Sequence, residues 1–175
     1  RKDGSIFCAD IVASITTLQG RPYAVGFFVD VSERIRAEER IRKVSLVQAA
    51  LHGPSTLHDK LHRITDGVVD IFDADFARIW LVRPGDRCGE GCMHADAAQD
   101  MHACVHRERC LHLMASSGRY THLDGEAHRR VPFGCYKIGR VASGDEPSFL
   151  TNDVARDHRV HHHAWAETLG LVSFA

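Results

Sequence analysis

The chain begins with two runs in which apolar and polar residues alternate, a pattern typical of β-strands. Apolar side chains occupy every second position within residues 5–18, and the same period of two returns in residues 23–30. Gln19-Gly20-Arg21-Pro22 lies between the two runs and has the composition of a turn. The pattern predicts a β-hairpin, which would be marginally stable alone and needs a further sheet to cover it.

A helix is predicted to follow the hairpin. Residues 32–52 are rich in helix formers, and Ser32 stands where an N-cap is expected, with Glu33 in the first turn. Five positions step by four, three, four and three residues, which is the spacing of a heptad seam. They are Ala37, Ile41, Val44, Gln48 and Leu51. The helix therefore either dimerises as a short coiled coil or packs on its own domain.

A second helix is predicted after Gly53-Pro54, which interrupts the first. Thr56 and Asp59 have the spacing of a capping box. The apolar residues that follow share one helical face and are expected to point towards a core. They are Leu57, Leu61, Ile64, Val68 and Ile71.

The remaining residues alternate between strand-like and helical patterns. Strands are predicted at 76–82, 110–117, 147–153 and 171–175, with a short extended segment at 129–133. Helices are predicted at 136–144, ended by Gly144, and at 161–170, ended by Gly170. The order of these elements predicts an α+β fold in which helices flank an antiparallel sheet.

Composition and charge exclude several classes of function. A chain of 175 residues with a net charge of -1 has no field that would attract nucleic acid or an anionic membrane. No apolar run approaches the roughly 20 residues that cross a bilayer. The chain opens without a signal peptide or an initiator Met and stops inside an apolar, strand-like run. We therefore expect an internal piece of a longer protein.

Four of the six cysteines lie in one polar stretch between two predicted strands. Cys88 and Cys92 form one pair, and Cys104 and Cys110 form a second pair after eleven intervening residues. Tetrahedral zinc takes four donors, and nothing in the sequence indicates an oxidising compartment, so grouped cysteines favour a metal over disulfides. Structural zinc, an iron–sulfur cluster, disulfides and unligated thiols all remain open.

The ligand set at this stretch is also open, because His94, His102 or His106 could replace one cysteine. Cys8 and Cys135 are interpreted as small core residues, with a place in a cavity as the alternative for Cys135. A second group of histidines is interpreted as a solvated loop that leads into a helix, with a metal site or a joint protonation as the alternatives. Its members are His158, His161, His162 and His163.

Two stretches carry a family resemblance. Residues 1–31, with "GRPYAVGFFVDVSER" at the exit into the helix, resemble the C-terminal end of a PAS domain. Residues 32–54 are similar to the signalling helix that follows such domains. Residues 55–175 resemble a C-terminally truncated GAF domain, on "FARIWLV", "GRVASGDEPSFLTNDVARDHRV" and "AETLGLVSFA". Residues 83–110 are a Cys-rich insertion relative to that family.

The resemblance implies a sensory role in bacterial signal transduction. PAS and GAF domains are input modules, often of a cytoplasmic two-component sensor histidine kinase, and the helix at 32–52 would join two copies in a homodimer. The alternative is a GAF module that binds a small molecule of the cyclic nucleotide type and regulates a diguanylate cyclase or another output enzyme. We find no catalytic domain in the sequence itself.

The resemblance also places a ligand pocket in the GAF-like region. Five residues near that pocket could contact an anionic ligand, and the alternative is that they are surface charges. They are Arg119, Tyr120, Arg129, Arg130 and Lys137. Trp80 is expected to be a core residue of its strand and not a platform for a ligand.

Overall fold

The computed structural model describes residues 4–92, 94–95, 103–119 and 128–175. It begins with a hairpin of β1 (Ala9–Leu18) and β2 (Arg21–Asp30), paired antiparallel from Ala9 opposite Asp30 to Leu18 opposite Arg21. Gln19 and Gly20 form the turn with φ angles of 51° and 76°, the left-handed backbone that two-residue hairpin turns require. The predicted hairpin is confirmed.

Both faces of this hairpin are exposed to solvent. Ile15 is 82% exposed on one face, and Phe27 is 64% exposed on the other face of this strongly apolar ribbon. Cys8 is exposed as well, so the prediction that it fills a core was wrong. The reason is that no other described strand pairs with β1 or β2, which leaves the ribbon without a core to fill.

Two antiparallel helices follow, α1 (Ser32–His52) and α2 (Leu57–Phe72). The prediction that Ser32 caps α1 was wrong: Val31 is the N-cap, and the Ser32 hydroxyl accepts a hydrogen bond from the Cys8 backbone N–H at 3.0 Å. The bond ties the hairpin to the helix instead of satisfying the helix terminus. At α2 the predicted capping box is present, with Thr56 and Asp59 bonded reciprocally.

The helices are joined by close packing between small and branched side chains. Val47 of α1 covers Gly67 of α2 so closely that a Cβ at Gly67 would lie 2.7 Å from a Val47 methyl group. The Lys43 ammonium pairs with Asp70 at 3.2 Å across the same contact. The apolar stripe predicted on α2 is only partly buried: Leu61 is buried, whereas Leu57 is 54% exposed.

The second sheet has the order β3-β4-β5, with every neighbouring pair antiparallel. Its strands are β3 (Phe76–Arg83), β4 (Cys110–Gly118) and β5 (Arg130–Pro132). A bulge between Ile79 and Trp80 shifts the register of the β3–β4 pair by one residue. Helix α2 packs on one side of this sheet, where Thr65 of α2 and Ser117 of β4 share a buried hydrogen bond of 2.6 Å, and α1 packs against α2.

The other side of the sheet faces the C-terminal part of the chain, which contains α3 (Tyr136–Ser143) and α4 (His163–Thr168). A cluster of buried residues packs there against Phe76 of β3, namely Phe149, Val154, Val160, Ala166 and Leu171. Gly144 ends α3 in the left-handed conformation, as predicted. The predicted class, α+β with antiparallel sheets and flanking helices, is confirmed.

Two predicted strands in this region were wrong. Residues 147–153 and 171–175 meet only at one isolated bridge, between Thr151 and Phe174. Their apolar side chains are used in the cluster beside α4, and an extended ladder does not form. Helix α4 is also shorter than predicted. Among the described residues, no helix has the length and apolarity that a membrane span requires.

Candidate functional site

The four cysteines of the polar stretch border one small cavity, which we call the thiol cavity. Its volume is about 10 Å³, comparable to the space that a single water-sized sphere fills. Cys88, Cys92, Cys104 and Cys110 all contribute to its wall, together with Gly85, Asp86, Arg87, His94, Arg130 and Pro132. Two cysteine pairs separated in sequence therefore line the same cavity.

Backbone hydrogen bonds hold the two arms of the thiol cavity together. The Gly85 N–H donates to the Arg107 carbonyl at 3.2 Å, and the Cys104 N–H donates to the His94 carbonyl at 2.9 Å. Within the first arm, the Arg87 carbonyl accepts the N–H of Cys92 at 3.2 Å. Gly91 has a φ of 82°, which allows the chain to turn between Cys88 and Cys92.

Burial sets the protonation of the inner thiols. The pKa of Cys110, a buried residue of β4, is raised to about 11, first by desolvation and then by the neighbouring Cys104 and Cys92. The pKa of Cys104 is raised by the same two causes, with Cys88 as its first thiol neighbour. Both thiols are therefore protonated at neutral pH, and a metal ion that binds them must displace their protons.

An ion pair closes one side of the thiol cavity. The Arg130 guanidinium donates to both oxygens of Asp86, at 2.8 and 2.6 Å. These bonds hold the pKa of the Asp86 carboxyl well below its usual range. The His112 ring Nε2 donates to the Pro84 carbonyl at 2.9 Å. Arg130, predicted near a ligand pocket, is thus engaged at the thiol cavity instead.

The candidate histidines of this stretch are separated by the structure. His94 is buried and lies in the wall of the thiol cavity. The His106 ring packs edge-on against Phe133, with centroids 5.9 Å apart, and lies outside that wall. His102 lies outside the described residues. His94 is therefore the histidine that the structure brings to the cysteines.

The side chains do not form a coordination shell as they stand. Within the described ranges, no group of three or more His, Cys, Asp or Glu side chains is arranged so that it could hold a metal ion. No disulfide joins any two of the six cysteines, all of which lie in those ranges. The sulfurs of Cys104 and Cys110 instead point to the carbonyls of His106 and Val131, at 3.8 and 3.6 Å.

A second cavity lies on the opposite side of the sheet, and we call it the aromatic cavity. Its volume is about 150 Å³. Its aromatic wall consists of Phe76, Trp80, Tyr136, Trp165 and Phe174. The Trp80 indole N–H donates to the His128 carbonyl at 2.9 Å, which fixes the ring at the cavity. Trp80 was expected to be a core residue, and it is half-buried in this wall.

The cations of the aromatic cavity come from three separate elements. Arg78 lies on β3, Lys137 on α3, and Arg159 on the loop before α4. Of these three, the sequence analysis had identified only Lys137, because no local sequence pattern distinguishes Arg78 or Arg159.

The other residues predicted near a ligand pocket lie elsewhere. Arg119 pairs with Asp75 at the surface, and Tyr120 lies outside the described residues. Arg129 supplies a backbone carbonyl to Leu113 at 3.0 Å.

The histidines of the second group lie at the mouth of the aromatic cavity. His161 and His162 are exposed but belong to its wall, and His163 bonds the Asp157 carbonyl at 2.9 Å. Burial, His161 and Lys137 together lower the pKa of His162 below its usual value. His158 is exposed. The predicted solvated loop is thus also part of a cavity rim.

Two wall residues in mutual contact, His94 and Tyr136, lie where the thiol cavity and the aromatic cavity approach each other. His94 belongs to both walls, and its ring lies edge-on to Tyr136 with centroids 5.7 Å apart. Tyr136 has a φ of 54°, the left-handed region that a bulky residue rarely adopts. Cys135, which precedes it, points its sulfur to the Ala103 carbonyl at 3.8 Å and raises the pKa of Cys104.

Comparison with known proteins gives one structural match. No protein-family model matches the chain, and no curated protein matches it. The chain is similar in structure to the GAF domain of the Acinetobacter phosphoenolpyruvate-protein phosphotransferase, with a TM-score of 0.44 and 16% sequence identity. The match covers 70% of this chain and 58% of that chain. Similarity at this level does not establish a family.

Proposed function

We propose that this chain is the sensory input region of a bacterial signal-transduction protein, with a GAF-type domain that holds a metal ion at Cys88, Cys92, Cys104 and Cys110. The observation that carries the proposal is the convergence of all four cysteines on one cavity of about 10 Å³. Zinc is the proposed metal, because four thiolates suit its tetrahedral geometry. An iron–sulfur cluster is the alternative with the same donors.

The donor types suit such a metal, and the side chains must rearrange to coordinate it, since no three of the described ones are placed to do so as they stand. Sulfur donors from two arms of the chain already lie around the cavity, and the hydrogen bonds at Gly85 and Cys104 limit how far the arms can separate. The inner thiols make only long contacts to carbonyl groups, so a metal can replace those contacts at small cost. Arg130 and Asp86 compensate each other beside the sulfurs. Closing the polar loop around an ion would stabilise it.

The proposed site is tested by metal analysis of protein purified anaerobically. We expect one equivalent of zinc in the colourless wild-type protein, or iron with visible absorption if a cluster is bound. Cys88→Ser and Cys92→Ser should lose the metal. Cys8→Ser is the matched control, since Cys8 is an exposed cysteine on the hairpin and should leave the metal content unchanged. A wild-type protein that contains neither metal and binds no added zinc would overturn the proposal.

A second function is favoured by the aromatic cavity, namely the binding of a small molecule. Ligand sites are concave and mainly apolar, with a few polar groups that converge on them, and this cavity has that character. In that case the metal would be a scaffold and the small molecule would be the signal. A ligand of the cyclic nucleotide type and an output diguanylate cyclase are the form of this alternative that the family resemblance suggests.

The proposed setting is a cytoplasmic protein in which residues 1–31 end a PAS domain, residues 55–175 form the GAF domain, and α1 between them transmits the signal. A two-component histidine kinase is the proposed parent. Ile41, on the heptad seam of α1, is 68% exposed, which leaves the seam accessible to a second copy. A shift between two packings of the paired helices is the proposed means of transmission.

A further inference from the structure

The aromatic cavity carries more information about its ligand than its presence alone. Its volume is about 150 Å³. An apolar cavity of about 150 Å³ is known to accommodate benzene, whereas sites for drug-sized ligands span roughly 300–1,000 Å³. The enclosed space therefore suits a ligand with a single aromatic ring better than a purine nucleotide.

The ring of such a ligand would be surrounded by aromatic side chains. Phe76 packs edge-on against Trp165, with centroids 6.1 Å apart, and against Phe174 at 6.5 Å. Trp80 lies four residues after Phe76 on the same face of β3, where its hydrogen bond to the His128 carbonyl holds the ring. Edge-to-face contacts of this kind extend to a further ring placed among them.

The charge of the wall indicates the sign of the ligand. Arg78, Lys137 and Arg159 line the cavity, and no Asp or Glu is among the described residues that do so. Lys137 and Arg159 converge on one ring: the Lys137 ammonium lies 4.8 Å from the centroid of Phe149, and the Arg159 guanidinium lies 4.5 Å from it. We call these two residues the cationic corner.

The charges of the cationic corner are only partly compensated. Two carboxylates act on Arg159, Asp157 and Glu146, and Arg159 engages both oxygens of Asp157 at 2.9 and 2.6 Å. Lys137 is stabilised by the faces of Phe149 and Phe174. Burial and the charge of Arg159 act against the Lys137 ammonium and lower its pKa, with Asp157 opposing them. An anion bound beside Lys137 would offset both unfavourable effects.

We infer that the aromatic cavity is a binding site for a monocyclic aromatic carboxylate. The ring lies among Phe76, Trp80 and Trp165, and the carboxylate accepts hydrogen bonds at the cationic corner. This inference rests on the small-molecule function proposed above and names the chemical class of its ligand.

The test uses the intrinsic fluorescence of the protein. The chain has two tryptophans, and both line the aromatic cavity, so their emission reports on its occupancy. Benzoate is the probe, benzamide is its neutral counterpart of nearly equal shape, and cyclic GMP represents the nucleotide alternative. Titration calorimetry gives the affinities independently. We expect benzoate to bind at least roughly tenfold more tightly than benzamide, because the half-buried Lys137 ammonium favours an ionised partner.

Variants at Lys137 test whether its ammonium group causes the preference for a carboxylate. Lys137→Met removes the ammonium and keeps most of the side-chain length, so it should weaken benzoate roughly tenfold or more and leave benzamide unchanged. Lys137→Arg retains the charge and should retain the preference for benzoate. Lys43→Met is the matched control, because Lys43 pairs with Asp70 between the helices and lies outside the cavity. Thermal unfolding of each variant verifies that it folds.

The outcomes separate this inference from the function on which it rests. If cyclic GMP binds and benzoate does not, the ligand class is wrong and the small-molecule function stands. If benzamide binds as tightly as benzoate, or Lys137→Met binds benzoate like the wild-type protein, the carboxylate assignment is overturned. If none of the three probes binds to a folded protein, the inference and the small-molecule function both fail.

Discussion

Gly85 offers a test of the proposed metal site that leaves every sulfur in place. A Cβ added at Gly85 would lie 2.4 Å from the Arg107 carbonyl oxygen and 2.8 Å from the sulfur of Cys88. Ordinary van der Waals contact begins at 3.4 Å, so Gly85→Ala must push the Arg107 carbonyl about 1.0 Å away. That carbonyl accepts the Gly85 N–H, so the change also disturbs the bond that joins the two arms.

The expected losses of stability and zinc affinity follow from the contacts that the added methyl group disturbs. Inserting a methyl group against backbone costs about 1–3 kcal/mol of folding stability when the surroundings are already packed. Displacing the supports of a metal ligand typically lowers affinity by about 10- to 100-fold. We therefore expect Gly85→Ala to bind zinc at least tenfold more weakly than wild type, measured by competition with a chromophoric chelator.

Gly89→Ala is the matched control for this change. Gly89 lies in the same turn between Cys88 and Cys92, and a Cβ there meets nothing within 4 Å. Its zinc affinity and melting temperature should equal those of the wild-type protein. If Gly85→Ala binds zinc as tightly as Gly89→Ala does, the geometry of the thiol cavity does not govern metal binding and the reasoning is refuted.

Three further predictions concern other parts of the chain. Thr65→Val should lower the unfolding free energy by about 1–3 kcal/mol in urea titrations, because it leaves the buried Ser117 hydroxyl without its 2.6 Å partner. An unfolding free energy equal to that of the wild-type protein would show that this hydrogen bond makes no net contribution to stability. Arg159→Met should be less stable than wild type at neutral pH and converge with it in acid. The reason is that Arg159 keeps the pKa of Asp157 below its unfolded value of 3.8. The ion pair therefore stabilises the fold above that pH, and this stabilisation is lost as the pH falls through the folded pKa. A difference in unfolding free energy that stays constant across the acid titration would contradict this. Ile41→Glu should convert a dimer into a monomer in light-scattering measurements, and a monomeric wild-type protein would exclude the proposed pairing through α1.

Local signals in the sequence were sufficient for much of the fold. The turn at Gln19 and Gly20, the capping box of Thr56 and the left-handed Gly144 each depend on a few neighbouring residues, so their patterns could be read directly. The cysteines were found together because all four lie in one stretch. The structure places all four around one small cavity, and the metal site itself stays a prediction, since the described side chains form no metal-holding group.

The aromatic cavity could not be derived in the same way. Arg78, Lys137 and Arg159 are far apart in sequence, and only the packing of β3 against the C-terminal segments brings them to one wall. Ser32 shows the same limit on a smaller scale. Its sequence context is that of an N-cap, but its hydroxyl accepts a hydrogen bond from a donor distant in sequence, the N–H of Cys8, instead of capping the helix.

The arrangement of two cavities on opposite sides of one thin sheet has a practical consequence. The thiol cavity holds the proposed ion and the aromatic cavity holds both tryptophans, with His94 in the wall of each. A coloured ion such as Co²⁺ at the sulfurs would accept excitation energy from the indoles over this short separation. The molecule thus contains its own donor for resonance transfer, and loading with cobalt can be followed without any attached dye.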